Sequence, residues 1–304
     1  MDPVILERIE QKKKRLVALR PLPQTVLERL RNDIAIEMTY NSNAIEGNTI
    51  SLKETRMVLE HGVTVSGKSL REHFEINNHR KAIEFVEDLA GTKADLTETD
   101  ILNIHAIVLE NIERDFAGRY RNGQVRILGA NFVPPNYVKI PNLMFDLLQT
   151  VNDPADKTNN VIRAARFHHR FVWIHPFFDG NGRTARLLSN LLLMRRGLPP
   201  AIILYNDRLR YYRSLERANN GDYDPLDLLV SQAVERSLDL YFEAAGELGT
   251  DEYVPLSELA KKFPYSQEYL SLLARRGKID AHKKARNWLA TERSIRDYLA
   301  TLGR

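Results

Sequence analysis

The chain has no cysteine among its 304 residues, which excludes disulfides and thiol chemistry. It has no apolar run long enough to span a bilayer. Its start lacks the basic-then-apolar order of a secretory signal: Glu7, Glu10 and the basic run 12–15 stand where an apolar core would lie. No internal repeat or low-complexity run is present. The first 250 residues carry no excess charge of either sign. Residues 251–304 hold 11 Lys/Arg against 7 Asp/Glu, which accounts for the whole net charge of +4. These absences lead to the expectation of a soluble, cytoplasmic protein with one large domain or two. The apolar share of 43% is ordinary for a globular chain.

Helical spacing of apolar residues dominates what is there. Helices are expected over 24–46, 70–89, 97–112, 141–152, 158–174, 182–196, 207–219 and 225–245. The helix over 158–174 should stop near His175, because the residue before a proline is pushed out of helical geometry. Gly197, Pro199 and Pro200 end the leucine-rich helix before them. One stretch differs. Residues 124–133 have β-type content around Gly129, Ala130 and Asn131, and Pro134 with Pro135 confines them to an edge. A small hairpin on a helical body is expected there.

Residues 175–186 read His-Pro-Phe-Phe-Asp-Gly-Asn-Gly-Arg-Thr-Ala-Arg. Pro176 and the glycines form a loop that opens the helix over 182–196. A helix N-terminus offers unpaired amides and partial positive charge, an anion site. Gly180 and Gly182 let the backbone approach a phosphate. Asp179 is a suitable oxygen ligand for Mg²⁺ held by phosphates. Arg183 and Arg186 are three apart, share a helix face and can fork onto phosphate oxygens. His175 can accept a proton near neutral pH. A capped helix start with a satisfied histidine would not need both arginines at this spacing.

The stretch resembles the complete signature of the Fic family, His-Pro-Phe-x-Asp-Gly-Asn-Gly-Arg-x-x-Arg, with no departure. The resemblance implies a mainly α protein: a Fic-type helical bundle with a small β-hairpin flap. It also implies an activity, since most members move AMP from ATP onto protein hydroxyls. By the resemblance His175 is the general base and Asp179 holds Mg²⁺. Gly180, Asn181 and Gly182 cradle the α- and β-phosphates with Arg183 in support, and Arg186 meets the γ-phosphate. Kinase-like relatives alter the Gly-Arg part of the motif, which is intact here. Phe177 is expected to be a packing anchor. Gly129, Ala130, Asn131 and Phe132, ahead of Pro134 and Pro135, look like the family flap that covers the nucleotide. A flap edge also suits a target segment by strand addition. Tyr211, Tyr212 and Asn219 stand where related enzymes contact adenosine, and serve equally well as core aromatics and a helix-end amide. His168 resembles a recurrent family histidine and is expected to be structural.

Residues 42–47, Ser-Asn-Ala-Ile-Glu-Gly, place Ser42 and Glu46 four apart on one helix face. A carboxylate at a helix C-terminus opposes the macrodipole by roughly 0.3–1 kcal/mol, which makes sense beside a cation. The segment resembles the inhibitory motif of Fic proteins that carry their brake N-terminal to the active site. By that resemblance Glu46 pairs with Arg186 in place of the γ-phosphate. In some relatives the equivalent glutamate instead activates water to remove AMP. A de-AMPylating hydrolase and a DNA-bound regulator that only senses nucleotide are therefore the rival readings. The intact His175 argues against the regulator.

A break over 246–250 precedes a helix, a turn and a helix over 256–263 and 266–276. A hairpin over 278–289 and a helix over 292–302 follow. This resembles a winged helix-turn-helix, with Gln267, Glu268, Ser271, Arg275 and Arg276 on the second helix and Lys283, Lys284 and Arg286 on the wing. DNA, a docked protein or a second copy of the chain all suit such a module. Trp288 and Tyr298 are expected in its small core. The expected organisation is an N-terminal helical region with the inhibitory helix (1–95), a catalytic core (96–245) and a winged-helix-like domain (251–304).

Overall fold

Among the described residues of the computed structural model, apolar spacing resolves into thirteen helices and three short strands. The described residues are 3–19, 21–92, 94–127, 132–246, 252–284 and 287–303. In chain order the first helices are α1 (Val4–Ala18), α2 (Gln24–Ile45), α3 (Leu52–His61), α4 (Leu70–Thr92) and α5 (Glu98–Val108). Next come α6 (Ile140–Asn152), α7 (Asn160–Ile174), α8 (Asn181–Arg195), α9 (Arg208–Asn219) and α10 (Asp224–Ala244). The chain closes with β1 (Val254–Pro255), α11 (Leu256–Lys262), α12 (Gln267–Arg275), β2 (Ala281–Lys284), β3 (Asn287–Ala290) and α13 (Glu292–Thr301). None of these helices is long and apolar enough to cross a membrane.

Two compact units divide the chain: residues Arg31–Asp227, and Met1–Leu30 together with Leu228–Arg304. The cuts fall inside α2 and α10, and they do not follow the ranges 1–95, 96–245 and 251–304.

In the first unit α8 is central, packed against α4, α5 and α7. Its leucines Leu187, Leu188, Leu191 and Leu193 are fully buried. Each such side chain contributes roughly 1.5–3 kcal/mol relative to exposure. A helix buried on every side takes its polar residues inside with it. Arg183 and Arg186 are 2% and 7% exposed, so each needs anionic partners in the interior. That requirement positions the site.

The hairpin expected over 124–133 falls partly outside the described residues. No strand is assigned to its described residues, and residues 128–131, which include Gly129, Ala130 and Asn131, lie outside the described ones. Pro134 and Pro135 remove two backbone donors a ladder would need. Side chains tie the limbs together instead: Gln124 Nε2 donates to the Pro134 carbonyl at 3.0 Å.

In the second unit, α1 belongs with the C-terminal elements through charge. Arg8 Nε donates to Glu235 Oε1 at 2.8 Å, and Lys12 Nζ lies 2.6 Å from Asp239 Oδ1 and 2.8 Å from Asp280. Burial opposes the Lys12 charge, but Asp280, Asp239 and Glu235 outweigh it and hold the ammonium above its ordinary value. Leu256, Leu259, Leu270, Leu273, Ile279 and Ile295 form a small core, with Trp288 and Tyr298 packed against it. The strands pair antiparallel in the order β1-β3-β2. Gln267, Glu268, Arg275, Arg276 and Lys284 are exposed, Ser271 and Lys283 are half-buried, and Arg286 lies outside the described residues.

Candidate active site

The site forms where α7 ends and α8 begins. The α7 helix stops at His175, whose backbone is left-handed (φ 51°) while its N–H still donates to the Phe171 carbonyl at 3.0 Å. Positive φ in a non-glycine residue is strained and persists only when the surroundings impose it. Gly180 then opens α8 with φ 74°, a conformation glycine adopts at no penalty. No side chain caps α8, so its first amides stay available to an anion.

Asn181 braces this loop. Its Oδ1 accepts the Phe177 N–H at 3.0 Å and its Nδ2 donates to the Phe177 carbonyl at 2.9 Å. The Asn181 side chain therefore serves the loop. Phe177 is fully buried and stacks on His105, with centroids 3.5 Å apart and planes within 3°. The Gly118 N–H donates to His105 Nδ1 at 3.0 Å, which leaves the proton on Nε2 to donate to the Asp179 carbonyl at 3.0 Å. His105 thus fixes the backbone of Asp179.

The Asp179 carboxylate is held on both oxygens. Oδ1 accepts the Gly180 N–H at 2.6 Å and lies 3.3 Å from Arg183, while Oδ2 accepts from Arg71 at 2.6 Å. Burial would raise its pKa, but Arg183, the Gly180 N–H and Arg71 prevail and hold the carboxyl below its ordinary value. Arg183 also pairs with Glu75 at 3.2 Å. Among the described residues there is no cluster of three His, Cys, Asp or Glu that would cage a metal. One ionised carboxylate beside an uncapped helix start fits Mg²⁺ that arrives with phosphate oxygens, since Mg²⁺ is usually bound by one or two carboxylates plus phosphates.

Arg186 is bound from the opposite side. Its Nε donates to Ser42 Oγ at 2.9 Å, and one terminal nitrogen donates to the Ser42 carbonyl at 2.8 Å and to Glu46 Oε1 at 2.7 Å. Glu46 follows the last residue of α2, and Gly47 turns the chain away with φ 105°. The Glu46 carboxylate also lies against Gly182: a Cβ built on Gly182 would collide with Glu46 Oε1. A carboxylate therefore sits at the N-terminal turn of α8, where a phosphate would be attracted.

His175 Nδ1 is fully buried. Burial pushes the imidazole down to about 4. The Val172 carbonyl opposes this, the Arg121 charge adds to it, and Glu46 and Asp179 oppose it more weakly. The ring is neutral, and so able to accept a proton, at pH 7.

The remaining expected contacts are placed as follows. Tyr211 is 1% exposed, and its hydroxyl lies 2.7 Å from His168 Nε2. Tyr212, exposed at the ring, donates its hydroxyl to the Ile45 carbonyl at 3.1 Å. Asn219 Oδ1 accepts from His169 Nε2 at 2.9 Å. These bonds tie α9 to α7 and to the end of α2. Phe132 is half-buried. Residues that sequence reasoning missed are His105, Arg71, Glu75 and Arg121. Each reaches the site through a partner 54 to 108 positions away, and nothing in the local spelling points to those partners.

Known proteins resemble this chain. The profile of the Fic/DOC family matches residues 95–193. Protein adenylyltransferase Fic of Nematostella vectensis is 39% identical over 245 residues, 79% of this chain and 56% of its own length. The chain spans about half the length of the curated relatives it matches. The structure of a Fic domain containing signaling protein from Bacteroides thetaiotaomicron superposes with a TM-score of 0.74 at 31% identity, covering 78% of this chain and 96% of that one. Fic-1 from C. elegans superposes with a TM-score of 0.70 at 36% identity, covering 80% and 74%. With its signature stretch folded around an uncapped helix start, and with these relatives, the chain belongs to the Fic family.

Proposed function

We propose that this chain is a protein adenylyltransferase, dependent on ATP and Mg²⁺, whose site is held off by Glu46. The observation that carries the reading is the carboxylate seated between Gly182 and Arg186 at an uncapped helix start. A site that attracts an anionic side chain so strongly is a site for phosphates, and its neutral histidine stands ready for a hydroxyl proton. The name carried by the relatives, protein adenylyltransferase, supports the same chemistry.

In this reading the acceptor is a Ser, Thr or Tyr hydroxyl of a target protein or of the chain itself. The hydroxyl oxygen forms a bond to the α-phosphorus as the bond to the bridging oxygen breaks and pyrophosphate leaves. The hydroxyl proton passes to His175 Nε2. The amides of Gly182 and its neighbours, with Arg183, hold the phosphates in line, and Arg186 takes the last phosphate once Glu46 releases it. Asp179 would hold the Mg²⁺, which neutralises phosphate charge when bound. Catalysis is then positioning and charge neutralisation. Glu46 leaves ATP without its Arg186 contact, so the α-phosphate sits out of line.

Labelled ATP tests the reaction class. With Glu46→Gly protein and Mg²⁺, label in the α-phosphate is expected to appear on protein and label in the γ-phosphate is not. The opposite pattern identifies a kinase and overturns the reading. Loss of AMP from a pre-modified protein with the wild type, without any transfer by Glu46→Gly, would instead identify the hydrolase.

A further inference from the structure

Arg71, in the first turn of α4, reaches three carboxylates. One terminal nitrogen donates to Asp179 Oδ2 at 2.6 Å, the other to Glu113 Oε1 at 3.5 Å, and Nε to Glu75 Oε1 at 3.5 Å. The short bond goes to Asp179, and the two long ones already point at alternative acceptors. The Arg71 side chain is 50% exposed, so its long stem can turn without unpacking a core. Glu75 is a fixed acceptor. Its Oε2 accepts Asn48 Nδ2 at 2.9 Å, and its Oε1 also meets Arg183 at 3.2 Å.

A charge of the opposite sign behaves the same way in this site. Glu46 sits at Gly182 and Arg186, where a phosphate would be attracted. Arg71 sits on Asp179, where a cation would be attracted. The chain's own carboxylate and guanidinium therefore stand in for the two halves of a metal-bound phosphate ligand. Asp179 cannot serve two cations well. The Gly180 N–H and Arg183 hold only Oδ1, so Oδ2 is the oxygen at issue. Mg²⁺ takes an oxygen at about 2.0–2.1 Å and demands near-octahedral geometry, so a guanidinium nitrogen 2.6 Å from the same oxygen would stand within about 5 Å of it. Like charges that close repel.

We propose that Arg71 is a positioning residue for the metal: it holds Asp179 Oδ2 while the site is without Mg²⁺, and yields that oxygen by moving onto Glu75 and Glu113 when a Mg²⁺-bound nucleotide enters. The inference rests on the reading of the site as one for Mg²⁺ and a nucleotide. It divides the resistance to entry between two contacts. Glu46 governs acceptance of the last phosphate, and Arg71 governs acceptance of the metal. Until then the bond from Arg71 keeps the Asp179 carboxylate ordered and aimed.

The test uses the full chain carrying Glu46→Gly, alone and with Arg71→Ala, Arg71→Gln or Arg71→Lys. Affinity for a non-hydrolysable ATP analogue is measured by calorimetry, without metal and at saturating Mg²⁺. For Arg71→Ala and Arg71→Gln, affinity at saturating Mg²⁺ is expected to rise roughly 3- to 10-fold, because a charge-assisted bond no longer has to be broken. Affinity without metal should not rise, so the gain reads as coupling to the metal. Arg71→Lys keeps the charge without the fork and should gain less. A residue that only supports the fold, or one that binds phosphate directly, would not tighten binding on removal. Crystals of the Glu46→Gly parent with the analogue should show Arg71 on Asp179 without Mg²⁺, and on Glu75 and Glu113 with it. Affinity at saturating Mg²⁺ that is unchanged or lower in Arg71→Ala, or an Arg71–Asp179 bond kept in the Mg²⁺-loaded site, would each overturn the proposal. If the parent binds the analogue but transfers no α-phosphate label, the adenylyltransferase reading fails. The affinities and the crystals still decide the role of Arg71.

Discussion

Glu46 Oε1 and the Arg186 guanidinium lie 2.7 Å apart, although 140 positions separate them in the chain. The pair does two things at once. It neutralises a buried arginine and fills the anion position at Gly182. Ser42 completes the hold by accepting the Arg186 Nε at 2.9 Å. Arg186 is thus held by residues of α2 and the turn after it, and in the proposed reading a nucleotide competes for it.

Ser42→Ala removes one of those bonds without touching the carboxylate. A single buried hydrogen bond contributes about 1 kcal/mol. Autolabelling with ATP is expected to rise by about 5-fold, well below the gain from removing Glu46. No change on Ser42→Ala would mean that the serine is only a packing residue.

His175→Ala should abolish labelling while leaving analogue affinity within about 3-fold, because the phosphates are held by α8. The comparison is made in the Glu46→Gly background, by labelling and calorimetry side by side. Residual transfer above one part in a hundred would assign the proton to another group.

Acid should destabilise the fold through two histidines outside the reaction. His168 and His79 are fully buried and pushed down to about 3, chiefly by burial and next by the Arg186 charge. Both are neutral when folded, whereas the unfolded chain takes up protons below about 6.5. Their stabilisation is complete above that pH and is lost as pH falls from 6.5 toward 3. Each contributes a slope of up to about 1.4 kcal/mol per pH unit in that window. Urea midpoints at pH 7, 6 and 5 should fall progressively, and His168→Gln should flatten the trend. A midpoint constant from pH 7 to 5 would contradict these buried neutral rings.

Lys12→Ala should strip the counter-charge from Asp239 and Asp280. Breaking a buried pair from one side costs about 3–5 kcal/mol. The midpoint of the unit containing α1 and the C-terminal elements should drop accordingly, and Lys12→Ala with Asp239→Ala should recover part of the loss. Equal stability of wild type and Lys12→Ala would show that α1 is held by its apolar face alone.

The legible and illegible parts of the molecule divide on physical grounds. The stretch 175–186 is legible because its residues act within one turn of chain: a proline, two glycines and two arginines announce a loop entering a helix. The α2, α4, α7, α8 and α10 helices follow from apolar period, with ends shifted by at most three residues. The α1 helix was not expected, because only Ile5, Ile9 and Leu16 face inward and the basic run 12–15 masks their period. For α3 a signal existed: Ser51 and Glu54 form a capping box, three residues apart, that announces a helix start. The bond from Arg121 to the His175 carbonyl and the bracing of Asp179 by His105 and Arg71 were not legible. They depend on which loops meet in space, 54 to 108 positions apart, and no local pattern records that.

The central claim, that Glu46 holds an adenylyltransferase site off, is tested most directly by one rate. Purified wild type and Glu46→Gly are incubated with ATP labelled in the α-phosphate and Mg²⁺, and protein-bound label is followed over time. A misalignment of about 1 Å relieved by the substitution predicts an initial rate higher on the order of 100-fold in Glu46→Gly. Equal initial rates in the two proteins would contradict the account.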